Sequence, residues 1–215
     1  MKYQTVIFDL DGTIADTSPG ILNCHRYAHQ MLGRTEPPEE ILRGVIGGPL
    51  LLTYQSVFNF SEQDARQAIA YYRQRYAEKG LYEAAVYPGM EQVLGSLKKA
   101  GCQIGLATLK AERFLEVMLK NMGIKDYFDA VYGMDDADRW TKAQLVELCM
   151  HDLKAAPEST VLVGDSVYDR DGAQCVGISF LGVTYGFGFK QGTLSPKVGA
   201  VAVADNCTQL LELLL

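Results

Sequence analysis

The chain has 215 residues, is 48% hydrophobic and carries a formal net charge of -6. This length and apolar content allow a full hydrophobic core and lie between the sizes typical of one and of two domains. The negative charge and the lack of a basic run argue against a nucleic-acid surface and favour small-molecule partners. We find no signal-peptide pattern and no apolar run near the roughly 18 residues that span a bilayer, so we expect no membrane association.

The cysteines predict a reducing compartment. There are five of them, scattered, odd in number and without C-x-x-C spacing, at Cys24, Cys102, Cys149, Cys175 and Cys207. This pattern fits reduced core thiols better than disulfides or a zinc site. We therefore expect a cytoplasmic protein, and the sequence leaves open whether it is a monomer or a homodimer.

The first predicted element is an apolar strand that begins at Val6 and ends in two acids, Asp9 and Asp11. Side chains alternate along a strand, so these two carboxylates point the same way. Gly12 follows, and glycine can leave a strand through unusual backbone angles. An ordinary Asp-Gly turn would also fit, but paired acids resist ionising together unless a cation or hydrogen bonds compensate them.

Helical periodicity comes next, at residues 21–32, 39–43, 50–58 and 62–82, with almost no strand signal between them. From residue 87 onward, strands are predicted at 103–108, 130–133, 160–164 and 178–181, and helices at 111–121, 141–153 and 169–176. This alternation is typical of a parallel sheet with helices on both faces. We predict an α/β core formed by residues 1–14 and 86–215, interrupted by a helical insert at 15–85.

Polar residues lie where the predicted parallel strands end, which is where such sheets bind ligands. They are Asp9 and Asp11 after the first strand, Thr108 after the second, and Asp165 with Asp169 after a later one. Individually, Thr108, Asp165 and Asp169 could simply cap helices. Together, four acids at one edge are costly without a cation, and the oxygen ligands favour a hard divalent ion such as Mg²⁺.

Lys142 is the candidate positive partner of this edge. It lies in the first turn of a helix that Thr141 would cap, where a cation opposes the helix dipole by roughly 0.3–1 kcal/mol. A phosphate dianion and the nearby carboxylates would compensate that cost, although a solvated surface lysine is the alternative. His25 and His29 lack a third ligand, so we interpret them as ordinary helix residues.

These motifs resemble those of the haloacid dehalogenase-like phosphatases, specifically the phosphoglycolate phosphatase-like branch, with 5'-nucleotidase-like relatives close. The first motif is matched by residues 9–13, the second by Thr108, the third by Lys142 and the fourth by residues 164–169, in that order. The resemblance spans nearly the whole chain, including residues 87–89 and 182–188. Leu109 stands where many relatives have Ser or Asn, so any contact there must come from its backbone.

The resemblance implies a Rossmann-like core, a helical cap and a magnesium-dependent phosphatase. In that mechanism, Asp9 attacks phosphorus while Asp11 acts first as general acid and then as general base. Thr108, Leu109 and Lys142 bind the phosphoryl group. Magnesium is held by Asp9, the Asp11 backbone carbonyl, Asp165 and Asp169.

The cap is expected to close over the site, exclude water and contact the leaving group of a small phosphorylated metabolite. Arg43, Gly48 and Lys79 are the candidate specificity residues. The other functions compatible with these motifs are a 5'-nucleotidase, a phosphomutase and a non-catalytic metabolite-binding module. Haloacid dehalogenation needs no leaving-group acid, so the presence of Asp11 counts against it.

Overall fold

The computed structural model describes residues 2–135, 139–192 and 199–215. The chain divides into one unit formed by Met1–Asp16 and Ala85–Leu215 and a second formed by Thr17–Ala84. These limits differ by at most two residues from the predicted ones. The difference arises because two short antiparallel strands, β2 (Ala15–Asp16) and β3 (Ala85–Val86), pair with each other in the first unit.

The first unit contains the predicted parallel sheet, which confirms the α/β class. Its six strands run in the order β5-β4-β1-β6-β7-β8, and all neighbours pair in parallel. The strands are β1 (Thr5–Phe8), β4 (Gln103–Ala111), β5 (Ala130–Met134), β6 (Thr160–Gly164), β7 (Ser179–Val183) and β8 (Ala202–Ala204). Strand β1 lies between β4 and β6, so acids that follow β1 and β6 end at adjacent positions of one sheet edge.

Helices cover this sheet. They are α5 (Met90–Lys99), α6 (Glu112–Asn121), α7 (Lys142–Leu153), α8 (Val167–Val176) and α9 (Cys207–Leu214). One core cluster joins Ile7 and Leu162 of the sheet to Leu145, Cys149 and Ala173 of α7 and α8. Every residue of β1 and β6 is buried, as expected for strands covered on both faces.

Several predicted boundaries differ from the observed ones. Strand β4 continues to Ala111 rather than ending at residue 108, with a register irregularity between Ala107 and Ala111, and α6 starts one residue later than predicted. Helix α8 begins at Val167, two residues early, because Ser166 and Asp169 form a capping box. Helices α5 and α9, strand β8 and the β2–β3 pair were not predicted from the sequence.

The second unit is helical, as predicted for the insert. Its helices are α1 (Ser18–Met31), α2 (Glu39–Gly44), α3 (Leu50–Leu52) and α4 (Glu62–Glu78), with a π-helical segment at Thr53–Val57 and a 3-10 turn at Gly80–Tyr82. Glu83 links the two ends of this unit. Its carboxylate accepts from both terminal nitrogens of the Arg75 guanidinium group, Nη1 and Nη2, at 2.9 Å and from the Asn23 side-chain amide, and its backbone carbonyl accepts from the Gly20 amide.

Aromatic rings fill the interior of the second unit. The His25 ring lies 4.8 Å from Tyr72 and 5.4 Å from Tyr54, and its Nδ1 is 3.1 Å from the Tyr54 hydroxyl. The His29 ring lies 4.6 Å from Phe58. Burial, with a smaller contribution from His29, lowers the pKa of His25 to about 3, so this imidazole is a neutral packing group.

The five cysteines are all free, and all but Cys175 are buried. Within the described ranges, no helix combines the length and the hydropathy that crossing a bilayer would require.

Candidate active site

Three carboxylates meet at the carboxyl ends of β1 and β6. Asp9, Asp165 and Asp169 are buried, and each offers an oxygen within 4.8 Å of the others' oxygens. Asp9 follows β1 directly, and its amide donates to the Val163 carbonyl at 2.9 Å, which anchors it between the two strands. Asp165 follows β6, and Asp169 comes from the first turn of α8.

Lys142 inserts its ammonium into this cluster. Its Nζ lies 2.5 Å from Asp9 Oδ1 and 2.7 Å from Asp169 Oδ1, and its side chain is only 4% exposed. The position comes from α7, whose first turn is held by a capping box between Thr141 and Gln144. The alternative of a solvated surface lysine is therefore wrong.

The buried charges shift one another's pKa values. Burial raises the pKa of Asp9 to about 7; Lys142 opposes this rise, while Asp169, Asp11 and Asp165 add to it. Burial and Asp169 raise the pKa of Asp165 to about 6. Burial lowers the pKa of Lys142, but the carboxylates of Asp169 and Asp9 more than offset this and raise it overall. The ammonium is therefore permanent, and added positive charge would favour the ionised forms of Asp9 and Asp165.

This donor set fits a hard divalent cation. When ionised, the three carboxylates exceed the one ammonium by two negative charges, and every candidate ligand atom is an oxygen. Asp165 is pre-oriented for such a role, because its Oδ2 accepts from the Phe187 amide at 2.7 Å and from the Gly188 amide at 3.0 Å. Two hydrogen bonds to one oxygen hold the carboxylate in a single direction.

Glycines allow the close approach of backbone at this site. Gly12 has φ of +79°, and a Cβ there would lie 2.3 Å from Asp165 Oδ2. A Cβ at Gly172 of α8 would lie 2.8 Å from Lys142 Cγ. The short distance at Gly12 explains why a glycine follows the paired acids. The lack of a side chain at Gly172 lets α8 pack directly on the Lys142 side chain.

Asp11 has a partner that the sequence analysis missed. Lys110 Nζ lies 3.0 Å and 2.9 Å from its two carboxylate oxygens, with side chains 7% and 19% exposed. Among the described residues, the carboxylate of Asp11 is thus paired with Lys110 rather than grouped with the other three acids. The spacing in the sequence could have indicated Lys110, because it lies two residues beyond Thr108 and side chains two residues apart share one face of a strand.

Thr108 and Leu109 lie on the extended end of β4. Thr108 is 1% exposed, and its hydroxyl accepts from the Lys110 amide at 3.3 Å. The Leu109 side chain packs against the core cluster of the sheet, so only its backbone can face a ligand at this edge. Strand β4 pairs with β1, and Asp9 follows β1 directly.

The three candidate specificity residues belong to the second unit. Arg43 is exposed and pairs with Glu39 at 3.0 Å within α2. The Gly48 amide donates to the Val45 carbonyl, and Lys79 is the exposed C-cap residue that follows α4. Their role in substrate selection stays a prediction.

A family model described as haloacid dehalogenase-like hydrolase matches residues 6–183. Among curated proteins, the chain is 33% identical to a 5'-nucleotidase of Pseudomonas aeruginosa, over 87% of this chain and 86% of that protein. It is 32% identical to a phosphoglycolate phosphatase of Nitrosospira multiformis, over 87% and 86%. It is also 32% identical to the tyrosine-protein kinase PtkA of Mycobacterium tuberculosis, over 97% and 72%.

Solved structures share the fold across the whole chain. A putative phosphatase from Clostridium difficile superimposes with a TM-score of 0.92 at 30% identity, covering 100% of both chains. The range matched by the family model includes all three acids of the cluster, Asp9, Asp165 and Asp169.

Proposed function

The chain belongs to the haloacid dehalogenase-like hydrolase family and is a phosphatase, and from this premise we propose that it hydrolyses small phosphomonoesters through a phosphoryl group carried on Asp9. One observation carries the proposal. The buried Asp9 carboxylate is held by Lys142 at 2.5 Å and lies beside two further acids at the sheet edge where parallel sheets bind ligands. That arrangement provides a nucleophile with an adjacent cation for a phosphoryl group.

The proposed reaction has two displacements at phosphorus. Asp9 attacks, the bond from phosphorus to the ester oxygen breaks, and Asp11 gives that oxygen its proton. Asp11 then takes a proton from water, the water oxygen bonds to phosphorus, and the bond to Asp9 breaks. Thr108, the Leu109 backbone and Lys142 hold the phosphoryl oxygens throughout.

Magnesium is the proposed cofactor, held by the carboxylates of Asp9, Asp165 and Asp169 and by the Asp11 backbone carbonyl. When bound, it supplies positive charge that lets these acids and a phosphate dianion share one buried volume. The net charge of the cluster and the raised pKa of Asp9 support this assignment.

We propose phosphoglycolate as the preferred substrate and nucleoside monophosphates as the alternative. The similarity to a phosphoglycolate phosphatase supports phosphoglycolate. The burial of Tyr54 and Tyr72 inside the second unit also supports it, because side chains that are at most 9% exposed are unavailable for stacking on a base. The similarity to a 5'-nucleotidase supports the second. In either case the substrate is a small metabolite, and the protein is expected in the cytoplasm as a monomer or homodimer.

The intermediate is tested by intact-protein mass spectrometry after acid quench. Asp11→Asn lacks the proposed base, so with p-nitrophenyl phosphate it should accumulate one phosphoryl group that hydroxylamine removes. Asp9→Asn should neither accumulate it nor turn over, because an amide is a poor nucleophile for phosphorus. Asp171→Asn, an exposed acid of α8, is the matched control and should behave like the wild type. Steady turnover by Asp9→Asn would refute the covalent route.

The substrate is tested by comparing kcat/KM for phosphoglycolate with that for several nucleoside monophosphates. A tenfold preference for a nucleotide would reverse our ranking. Isomer formation from a sugar phosphate in place of phosphate release would show a phosphomutase, and no activity on any phosphomonoester would refute the phosphatase assignment.

A further inference from the structure

Asp11 sits in a tight turn that leaves only its side chain free to move. The amides of Thr13, Ile14 and Ala15 all point at the Leu10 carbonyl, at 3.3, 3.0 and 3.1 Å, and the Gly12 amide donates to the Ala15 carbonyl at 3.0 Å. The backbone of Asp11 is therefore held on both sides. What remains to be set is the direction of its carboxylate.

Lys110 sets that direction. Its ammonium is within hydrogen-bonding distance of both carboxylate oxygens, at 3.0 and 2.9 Å, which fixes the plane of the carboxylate more tightly than a contact to one oxygen would. The backbone of Lys110 is itself held, because its amide donates to Thr108 at 3.3 Å within the extended end of β4. The two residues are 99 apart in sequence, but Lys110 lies on β4 and Asp11 lies in the turn that follows the neighbouring strand β1.

The pair is shielded from solvent, so it differs from an ordinary surface ion pair. Lys110 is 7% and Asp11 19% exposed, whereas the Glu116–Lys120 pair on α6 is 63% and 60% exposed. Exposed pairs of that kind contribute little to stability and hold no fixed geometry. A shielded pair keeps its geometry, and removing one partner leaves the other charge uncompensated.

We propose that Lys110 is a positioning residue that orients Asp11 for proton transfer to the leaving-group oxygen and from water. The proposal rests on the function proposed above, in which Asp11 is the acid and base. When Asp11 carries the proton, one of its oxygens keeps the ammonium contact while the other presents the proton outward. Without Lys110, the carboxyl group rotates among its rotamers, and proton transfer is rarely aligned.

Leaving-group dependence distinguishes positioning from substrate binding. A poor leaving group such as an alkoxide needs the proton from Asp11, whereas p-nitrophenoxide departs almost without it. Lys110→Met should therefore lower kcat/KM for alkyl phosphates about tenfold or more, a fraction of the 10²–10⁴ that general acid catalysis typically provides, and lower it much less for p-nitrophenyl phosphate. A plot of log kcat/KM against leaving-group pKa should become steeper.

Two further variants complete the experiment. Lys110→Arg keeps a cation with two donors and should restore much of the wild-type slope, while Lys120→Met removes an exposed lysine of α6 and should leave every value unchanged. Lys110→Gln replaces Lys110→Met if thermal unfolding shows that the latter does not fold. These measurements use the full chain with magnesium present.

Three results would overturn the proposal. An equal loss for all leaving groups with a raised KM would make Lys110 a ligand of the phosphoryl group. A raised KM for phosphoglycolate alone would make it a ligand of the substrate carboxylate. An unchanged slope in a folded Lys110→Met would remove the positioning role, whereas an inactive wild type would refute the proposed function instead.

Discussion

Replacing Gly172 by alanine tests whether the packing of α8 on Lys142 holds the ammonium against Asp9. An added Cβ would lie 2.8 Å from Lys142 Cγ and 3.1 Å from its Cβ. Non-bonded carbons settle at about 3.5–4.0 Å, so the lysine stem has to move by about 0.7 Å or more. These atoms are near the backbone of α7, so the displacement passes to the ammonium that lies 2.5 Å from Asp9.

The expected result is a loss of activity together with a stability loss of no more than about 2.5 kcal/mol. A misplacement near 1 Å in a catalytic site can cost about 10²-fold, so we expect kcat to fall roughly tenfold or more. Replacing a mid-helix glycine by alanine stabilises a helix by about 0.5–1 kcal/mol, while overpacking costs about 1–3 kcal/mol. The free energy of unfolding of Gly172→Ala should therefore lie between the wild-type value and about 2.5 kcal/mol below it.

Gly95→Ala is the matched control. Gly95 is also inside a helix of the first unit, but the nearest atom to an added Cβ is Tyr127 Cε1 at 3.8 Å, an ordinary contact. This variant should gain up to about 1 kcal/mol and keep its kcat. Both variants are measured by urea unfolding and by phosphate release with magnesium present. A Gly172→Ala protein that matches Gly95→Ala in both stability gain and kcat would refute the packing argument.

Three other predictions concern the metal, the charges and the helix cap. Exhaustive chelation should abolish phosphate release and added Mg²⁺ should restore it. Ca²⁺ should be a poor substitute because its looser coordination would let the Asp9 carboxylate chelate the ion. Full activity after metal removal would contradict this prediction. The folded-state pKa values of Asp9 and Asp165, about 7 and about 6, exceed the ordinary value of 3.8. Between about pH 4 and pH 7, the folded metal-free protein therefore binds more protons than the unfolded chain, so its stability should fall as the pH rises from about 4 to about 7. Thermal unfolding in EDTA should show that loss, Asp9→Asn should reduce it, and Mg²⁺ should raise the unfolding temperature more at pH 7.5 than at pH 5; identical profiles for wild type and Asp9→Asn would count against the shift. Thr141→Ala removes the capping box of α7 and should lower the free energy of unfolding in urea by about 1 kcal/mol. It should also lower kcat, because Lys142 lies in the turn that loses its cap. Ser61→Ala, at the N-cap of α4, is the control and should lower stability by a similar amount with kcat unchanged.

Local patterns in the sequence determined much of the first unit. Continuous apolar runs predicted β1 and β6, and the acids placed at their ends meet in the structure because parallel strands share one carboxyl edge. Thr141 predicted the start of α7 because an N-cap is a property of a few consecutive residues. Boundaries were less accurate at residues 108–111, where β4 continues past its predicted end alongside a register irregularity with its neighbour β5.

Only the tertiary structure decided which charges are partners. Lys142 and Asp9 are 133 residues apart, and Lys110 and Asp11 are 99 apart, so no spacing along the chain could pair them. Lys142 could be identified from the sequence because a cation in the first turn of a helix opposes the helix dipole and so indicates a compensating partner. Lys110 lies on an extended strand, where a lysine gives no such signal, and it was missed. The burial of Lys110 and the packing of Gly172 against Lys142 depend on which strands and helices become neighbours. Packing of the whole core decides this, and no local sequence pattern does.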